Sequence, residues 1–132
     1  MMKGLPKSGK TTWAKAWAAA QHNRLRVSWT EILMMMGKEF RKERQTIAYD
    51  AAVRIMKNAI RNGQDVVVDE CNLYGSEWGL FVGFAQQAGA TVEWHTMKTS
   101  VEECCRRNAE AGYPLLEEQI VSLGEKYAAW LK

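Results

Sequence analysis

The sequence has no apolar run approaching the roughly 18–20 residues that cross a membrane. Nor does it open on a charged stretch followed by an apolar one, as a secretory signal does. Both absences point to a cytoplasmic protein with no membrane partner. Cysteine is scarce: the three are Cys71, Cys104 and Cys105, and two of them are adjacent. An odd count with no paired spacing supplies neither a disulfide framework nor a zinc site, so ordinary buried thiols are expected. The two histidines, His22 and His95, lie far apart and show no metal spacing. There is no internal repeat, linker or low-complexity segment. At 132 residues, 47% hydrophobic and 25% charged, the chain suits one globular domain, 1–132, with one real core.

Charge of one sign is scarce in each half. Residues 1–62 carry 13 Lys and Arg against 4 Asp and Glu, a net +9, whereas residues 63–132 carry 5 against 11, a net −6. A basic first half suits a polyanionic ligand, and a solvated helix face would give the same count.

What is present is a steady alternation of helix and strand signals, which argues for α/β with a parallel sheet. Helix signals run from Lys10 to about His22, and Leu25–Trp29 reads as a short strand. Thr30–Met36 reads as one or two turns ended by Gly37. From Arg41 to Asn62 the apolar residues repeat at helical spacing, through Ala48, Ala52, Ile55, Met56 and Ala59. Val66–Val68 is a continuous apolar run, which suits a strand covered on both faces. Ser76–Ala88 reads as helix and Thr91–Met97 as strand. Ser100 and Glu103 form a capping box that opens a helix to about Ala111. Gly112-Tyr113-Pro114 breaks the chain, and Leu116, Ile120, Leu123, Tyr127 and Trp130 stripe a last helix. The Met34-Met35-Met36 run is expected to fill the core, and so are five of the six tryptophans. Trp29 is the best placed of the six to stack on a base, though core packing is the first expectation for it too.

Residues 4–11, Gly4-Leu5-Pro6-Lys7-Ser8-Gly9-Lys10-Thr11, fit the pattern G-x-x-x-x-G-K-[ST]. Glycines let such a loop curl so that successive N–H groups point at phosphate oxygens. The helix beginning near Lys10 adds its positive end. Lys10 can then reach the β- and γ-phosphates of a nucleotide, and the Thr11 hydroxyl can hold Mg²⁺. Gly4, Pro6, Lys7, Ser8, Gly9, Lys10, Thr11 and Thr12 are therefore the expected ATP contacts, with Lys7 either on a phosphate or in solvent. A second acid belongs near the metal, and Asp69-Glu70 follows Val66–Val68 directly. Only Met1, Met2 and Lys3 precede the loop, so the first strand is expected to be very short, or the natural start to lie upstream.

The blocks "GLPKSGKTTWAKAW", "RVSWTEIL", "GQDVVVDECNL" and "SVEECCRRN" together resemble the 5′-kinase domain of phage-type polynucleotide kinases. That is a phosphate-loop kinase with an AAA-type ATP-binding domain. Zeta-toxin and gluconate-kinase-like groups share the layout. The resemblance implies a three-layer fold with strand order 2-3-1-4. It implies ATP and Mg²⁺ as cofactors, a nucleic-acid 5′ end as acceptor, and Asp69 with Thr11 at the metal. It also implies that Arg107 contacts the transferring phosphate, and that Glu70, Asn72, Trp29 and Thr30 lie on the acceptor side.

On that side the chain departs from the family. Thr30 stands where an aspartate takes the acceptor's proton, and Leu33 where an arginine contacts the acceptor's phosphate. Glu31, one position on, is the substitute base, alongside water. The expected catalytic set is Lys10, Glu31 and Arg107. Two alternatives stay open: a small-molecule kinase on the same scaffold, and a nucleotide-binding module without acceptor chemistry.

Overall fold

A computed structural model describes residues 1–37, 41–112 and 115–132. Its elements follow in the order β1 (Met2–Lys3), α1 (Lys10–Ala19), β2 (Arg24–Val27), α2 (Trp29–Met35) and α3 (Lys42–Arg61). They continue as β3 (Asp65–Val68), α4 (Gly75–Gln87), β4 (His95–Thr96), α5 (Val101–Ala109) and α6 (Glu117–Lys126). The expected break at Gly112-Tyr113-Pro114 lies partly outside the described residues, at Tyr113 and Pro114.

The strands form two parallel pairs, β2 with β3 and β1 with β4. The pairs meet where β3 runs out: Gly4 N–H donates to Cys71 C=O at 3.2 Å. The Asn72 amide donates to Met2 C=O at 2.6 Å. Among the described residues no ladder joins β3 to the two-residue β1, so the one sheet expected in the order 2-3-1-4 stands instead as two pairs linked by these two bonds. Of the strand expected over Thr91–Met97, only His95–Thr96 forms. A strand needs a partner, and among the described residues this one is faced by Met1–Lys3. Met1 N donates to Glu93 C=O, His95 N–H to Met1 C=O, and Met97 N–H to Lys3 C=O. Earlier than Glu93 there is no facing backbone among the described residues, and the ladder stops.

Val67 and Val68 point to opposite faces of the sheet, as successive strand residues must. Val68 joins Val27, Ala52, Val53, Met56 and Phe81 under α3 and α4. Val67 joins Met2 and Ala14 under α1, with Trp13 and Trp17 alongside. Helices therefore cover both faces, which gives three layers. Burial of each valine contributes about 1.5–3 kcal/mol. A third cluster, Leu5, Leu73, Cys104 and Ile120, seats α5 and α6 beside the end of the sheet.

Two expectations on packing change. Met34 and Met35 are exposed, the latter by 80%, while Leu33 is buried. A seven-residue helix turns one narrow stripe to the core, and Leu33 occupies it. The last stripe holds from Ile120 through Trp130, but Leu116 is exposed. The capping box forms in one direction. Ser100 Oγ accepts from Glu103 N–H at 3.2 Å, while the Glu103 carboxylate turns to Arg106 and Arg107.

Candidate active site

The loop between β1 and α1 curls because its backbone can. Lys7 (φ 65°) and Gly9 (φ 98°) are left-handed, and such residues turn consecutive N–H groups toward one concavity. Gly4 is required for a different reason. A Cβ there would lie 2.8 Å from Ser8 Oγ and 3.0 Å from Met97 Cβ. Two contacts brace the loop from outside. Thr99 Oγ1 donates to Ser8 C=O at 2.8 Å, and Arg107 Nη1 donates to Lys7 C=O at 3.4 Å. The loop faces a cavity of about 1020 Å³ lined by residues 6–13 together with Met97, Thr99 and Arg107.

Lys10 opens α1, is 7% exposed, and folds back so that Nζ donates to Leu5 C=O at 2.6 Å. Thr11 and Thr12 are exposed on the cavity wall, and Pro6 and Lys7 are half-buried in it. Ser8 Oγ is buried with no hydrogen-bond partner. It packs against Gly4, where an added Cβ would lie 2.8 Å from it.

Arg107 reaches the cavity from α5. Its Nε donates to Glu103 Oε1 at 2.8 Å, and Arg106 grips the same carboxylate. These two guanidinium groups hold Glu103 down to about 2. Glu103 thus orients Arg107 while staying ionised.

The acids after β3 separate in role. Asp69 is 4% exposed; its Oδ2 is bound by Arg26, and its Oδ1 is buried without a partner. An unpaired buried carboxylate oxygen fits a cation, so Asp69 and Thr11 are residues that could hold Mg²⁺. Glu70 points the other way. It accepts from Ser28 Oγ at 2.8 Å, Thr30 N–H at 3.0 Å and Thr30 Oγ1 at 2.7 Å. Burial pushes its carboxyl above the usual range, against those three bonds. Thr30 and Glu70, both expected on the acceptor side, are therefore brought together.

Three expected acceptor-side residues are placed differently. Glu31 does not stand free as a base. Arg26 clasps both its oxygens, at 2.6 and 2.8 Å, and holds its carboxyl below the usual range. A base needs the opposite shift. Asn72 is 1% exposed; it tethers β1 through Met2, and its carbonyl accepts from Trp130 Nε1. It is a core strut, with φ 49° at the chain's turn out of the sheet. Trp29 packs on the core, edge-on to Tyr49 with centroids 6.3 Å apart.

Arg26 is the site residue that the sequence does not announce. It reads as an ordinary charged position in a short strand. The one available signal is its register: it pairs with Val67, two residues before Asp69.

A family model described as an AAA domain matches residues 1–117. The L-seryl-tRNA(Sec) kinase of Methanococcus maripaludis is 23% identical over 130 residues, covering 96% of this chain and 51% of the relative. The chain thus spans about half the length of the curated relative it matches. A chain from the structure of the Pnkp1/Rnl/Hen1 RNA repair complex superposes with a TM-score of 0.82 at 18% identity. That likeness covers 99% of this chain and 45% of that one. A chain from another structure of the Pnkp1/Rnl/Hen1 complex gives 0.72 at 19% identity, over 80% and 37%. The arrangement of strands and helices is that of the phosphate-loop kinase fold.

Proposed function

The chain belongs to the AAA domain family, and we propose that it is an ATP-dependent phosphotransferase that moves the γ-phosphate to a hydroxyl. The observation that carries this reading is the braced loop. Lys10, Ser8 and the neighbouring loop residues line one cavity, and Arg107 reaches it from α5. Phosphoryl transfer asks mainly for positioning and for charge placed where it develops. Lys10 exchanges its bond to Leu5 for phosphate oxygens, and Ser8 Oγ gains its missing partner. Arg107, held by Glu103, neutralises charge on the phosphoryl group in transit. Thr11 and Asp69 are the residues that would hold Mg²⁺, which supplies further neutralisation of the phosphates when bound. With Glu31 clasped, the acceptor's proton passes to water. A loose transition state needs little help from a base, which typically contributes about 10²–10⁴-fold.

The acceptor we favour is the 5′-OH of a polynucleotide. The net +9 of residues 1–62 supports it. So do the names of the similar proteins, a tRNA kinase and a member of an RNA repair complex. One observation favours a smaller acceptor. Leu33, standing where an acceptor-binding arginine would be, is 1% exposed and cannot be replaced by a charge in place. The deciding experiment presents 5′-OH oligonucleotides, nucleosides and sugars with γ-labelled ATP. Label on oligonucleotides supports the favoured acceptor. Label on sugars or nucleosides alone contradicts it, and tight ATP binding with no label anywhere contradicts transfer itself.

A further inference from the structure

Asp69 carries a near-buried carboxylate, and a carboxylate in that position must be compensated. The compensation is visible: Arg26 Nε lies 2.8 Å and Nη2 2.6 Å from the same oxygen, Oδ2. The outer edge of the guanidinium is closed by Glu31, through Nη1 to Oε2 and Nη2 to Oε1. Arg26 is therefore fixed on two sides, with its side chain 13% exposed.

The sheet dictates where this happens. Val67 faces α1, in contact with Ala14 and Met2. By the two-residue period of a strand, Asp69 takes the same face, and Asp69 N–H still donates to Val27 C=O as an extension of the ladder. Arg26 is the register partner of Val67 and shares that face. So a fixed cation and the buried acid share the face covered by α1, the helix whose first residues are Lys10 and Thr11.

We propose that Arg26 is a built-in counter-cation and positioning residue for Asp69, occupying Oδ2 so that only Oδ1 is offered to the metal. The inference rests on the reading of Asp69 as a metal-holding residue. Arg26 does two things at once. It keeps the buried carboxylate paired before metal arrives, and it weakens the grip of Asp69 on the metal by sharing its charge. Glu31 serves the same purpose from outside, by preventing the guanidinium from swinging away.

The test is thermal unfolding of the whole chain in chelator and across a titration of Mg²⁺ alone. Arg26→Met should melt lower than wild type in chelator. Its half-saturating Mg²⁺ should fall on the order of tenfold, because a cation in direct contact with the acid is gone. Arg26→Lys, which retains a charge, should need Mg²⁺ close to the wild-type level. Arg26→Met combined with Asp69→Asn removes both buried charges. It should melt above Arg26→Met in chelator and show no response to Mg²⁺. If Arg26→Met fails to fold while the double variant folds, the uncompensated carboxylate is the cause and the inference stands. Equal half-saturating Mg²⁺ in wild type and Arg26→Met overturns it, as does identical behaviour of Arg26→Met and Arg26→Lys. A Mg²⁺ response that survives Asp69→Asn instead overturns the metal assignment on which it rests.

Discussion

Lys10 Nζ donates to the carbonyl of Leu5 across the mouth of its own loop, at 2.6 Å. The lysine that we propose meets phosphate is thus already drawn into the loop and buried. Its partner there is a neutral carbonyl, which a phosphate oxygen readily replaces.

Gly4→Ala should damage the loop without touching its charges. The added Cβ meets Ser8 Oγ at 2.8 Å and Met97 Cβ at 3.0 Å, so Ser8 or β4's end must move. The expected cost is about 1–3 kcal/mol of stability, with weakened ATP binding. Chemical denaturation and nucleotide titration check it. A variant with wild-type stability and affinity would show that the loop is not packed as described.

The Glu103 carboxyl should titrate at about 2, held there by Arg106 and Arg107. Its contribution is present above the unfolded carboxyl value and is lost as pH falls through about 2. Carbon-13 NMR of the side chain reads the midpoint directly. Arg107→Ala should raise that midpoint toward the ordinary range, and a midpoint that starts near the ordinary value would mean Arg107 is not oriented by Glu103.

Glu70 gives the opposite pH signature. Burial raises its carboxyl in the folded chain, so the folded state binds the proton more tightly than the unfolded one. Its contribution to stability is therefore full below the ordinary carboxyl range and falls as pH rises through the raised midpoint. Glu70→Gln keeps an acceptor for Thr30 N–H and should flatten that stretch of the stability–pH curve. An unchanged slope in the variant would assign the pH dependence to another group.

A cavity of about 620 Å³ lies beside the start of β1, walled by Met1, Val66, Val67, Trp94 and their neighbours. Met1 already sits in ladder register with Glu93 and His95. Burial pushes its ammonium below the ordinary value, whereas a peptide N–H could make the same bond uncharged. Adding Ile-Val-Val ahead of Met1 should therefore extend the β1–β4 ladder and stabilise the chain by about 1–3 kcal/mol. A Gly-Ser-Gly extension of equal length is the control, and equal stability of the two would contradict this account of the cavity.

These cases show which parts of the molecule could be read in advance. The curled loop ahead of α1 was legible because its signals are local: two glycines at fixed spacing and a helix start at Lys10 turn the chain there. Helix α3 was legible because its period repeats over many turns. β4 was legible only in part, since among the described residues the backbone facing it begins at Met1, which reaches no further back than Glu93. Asn72 was misplaced because a motif gives chemical type and not direction, and here the side chain turns into the core. Glu31 was misplaced because nothing in "RVSWTEIL" says that Arg26, five residues back, will clasp it. Arg26 itself was invisible for the complementary reason. Its role exists only through the β2–β3 register, which no single strand encodes.

The most direct test of the account is the rate of γ-phosphate transfer from Mg²⁺-ATP to a 5′-OH oligonucleotide, wild type against Lys10→Ala. Loss of one preorganised charge contact on the transferring group should lower the rate by about 10²–10³-fold, with folding retained. Transfer by Lys10→Ala at the wild-type rate would contradict the assignment of residues 4–11 as the site where phosphate is bound and moved.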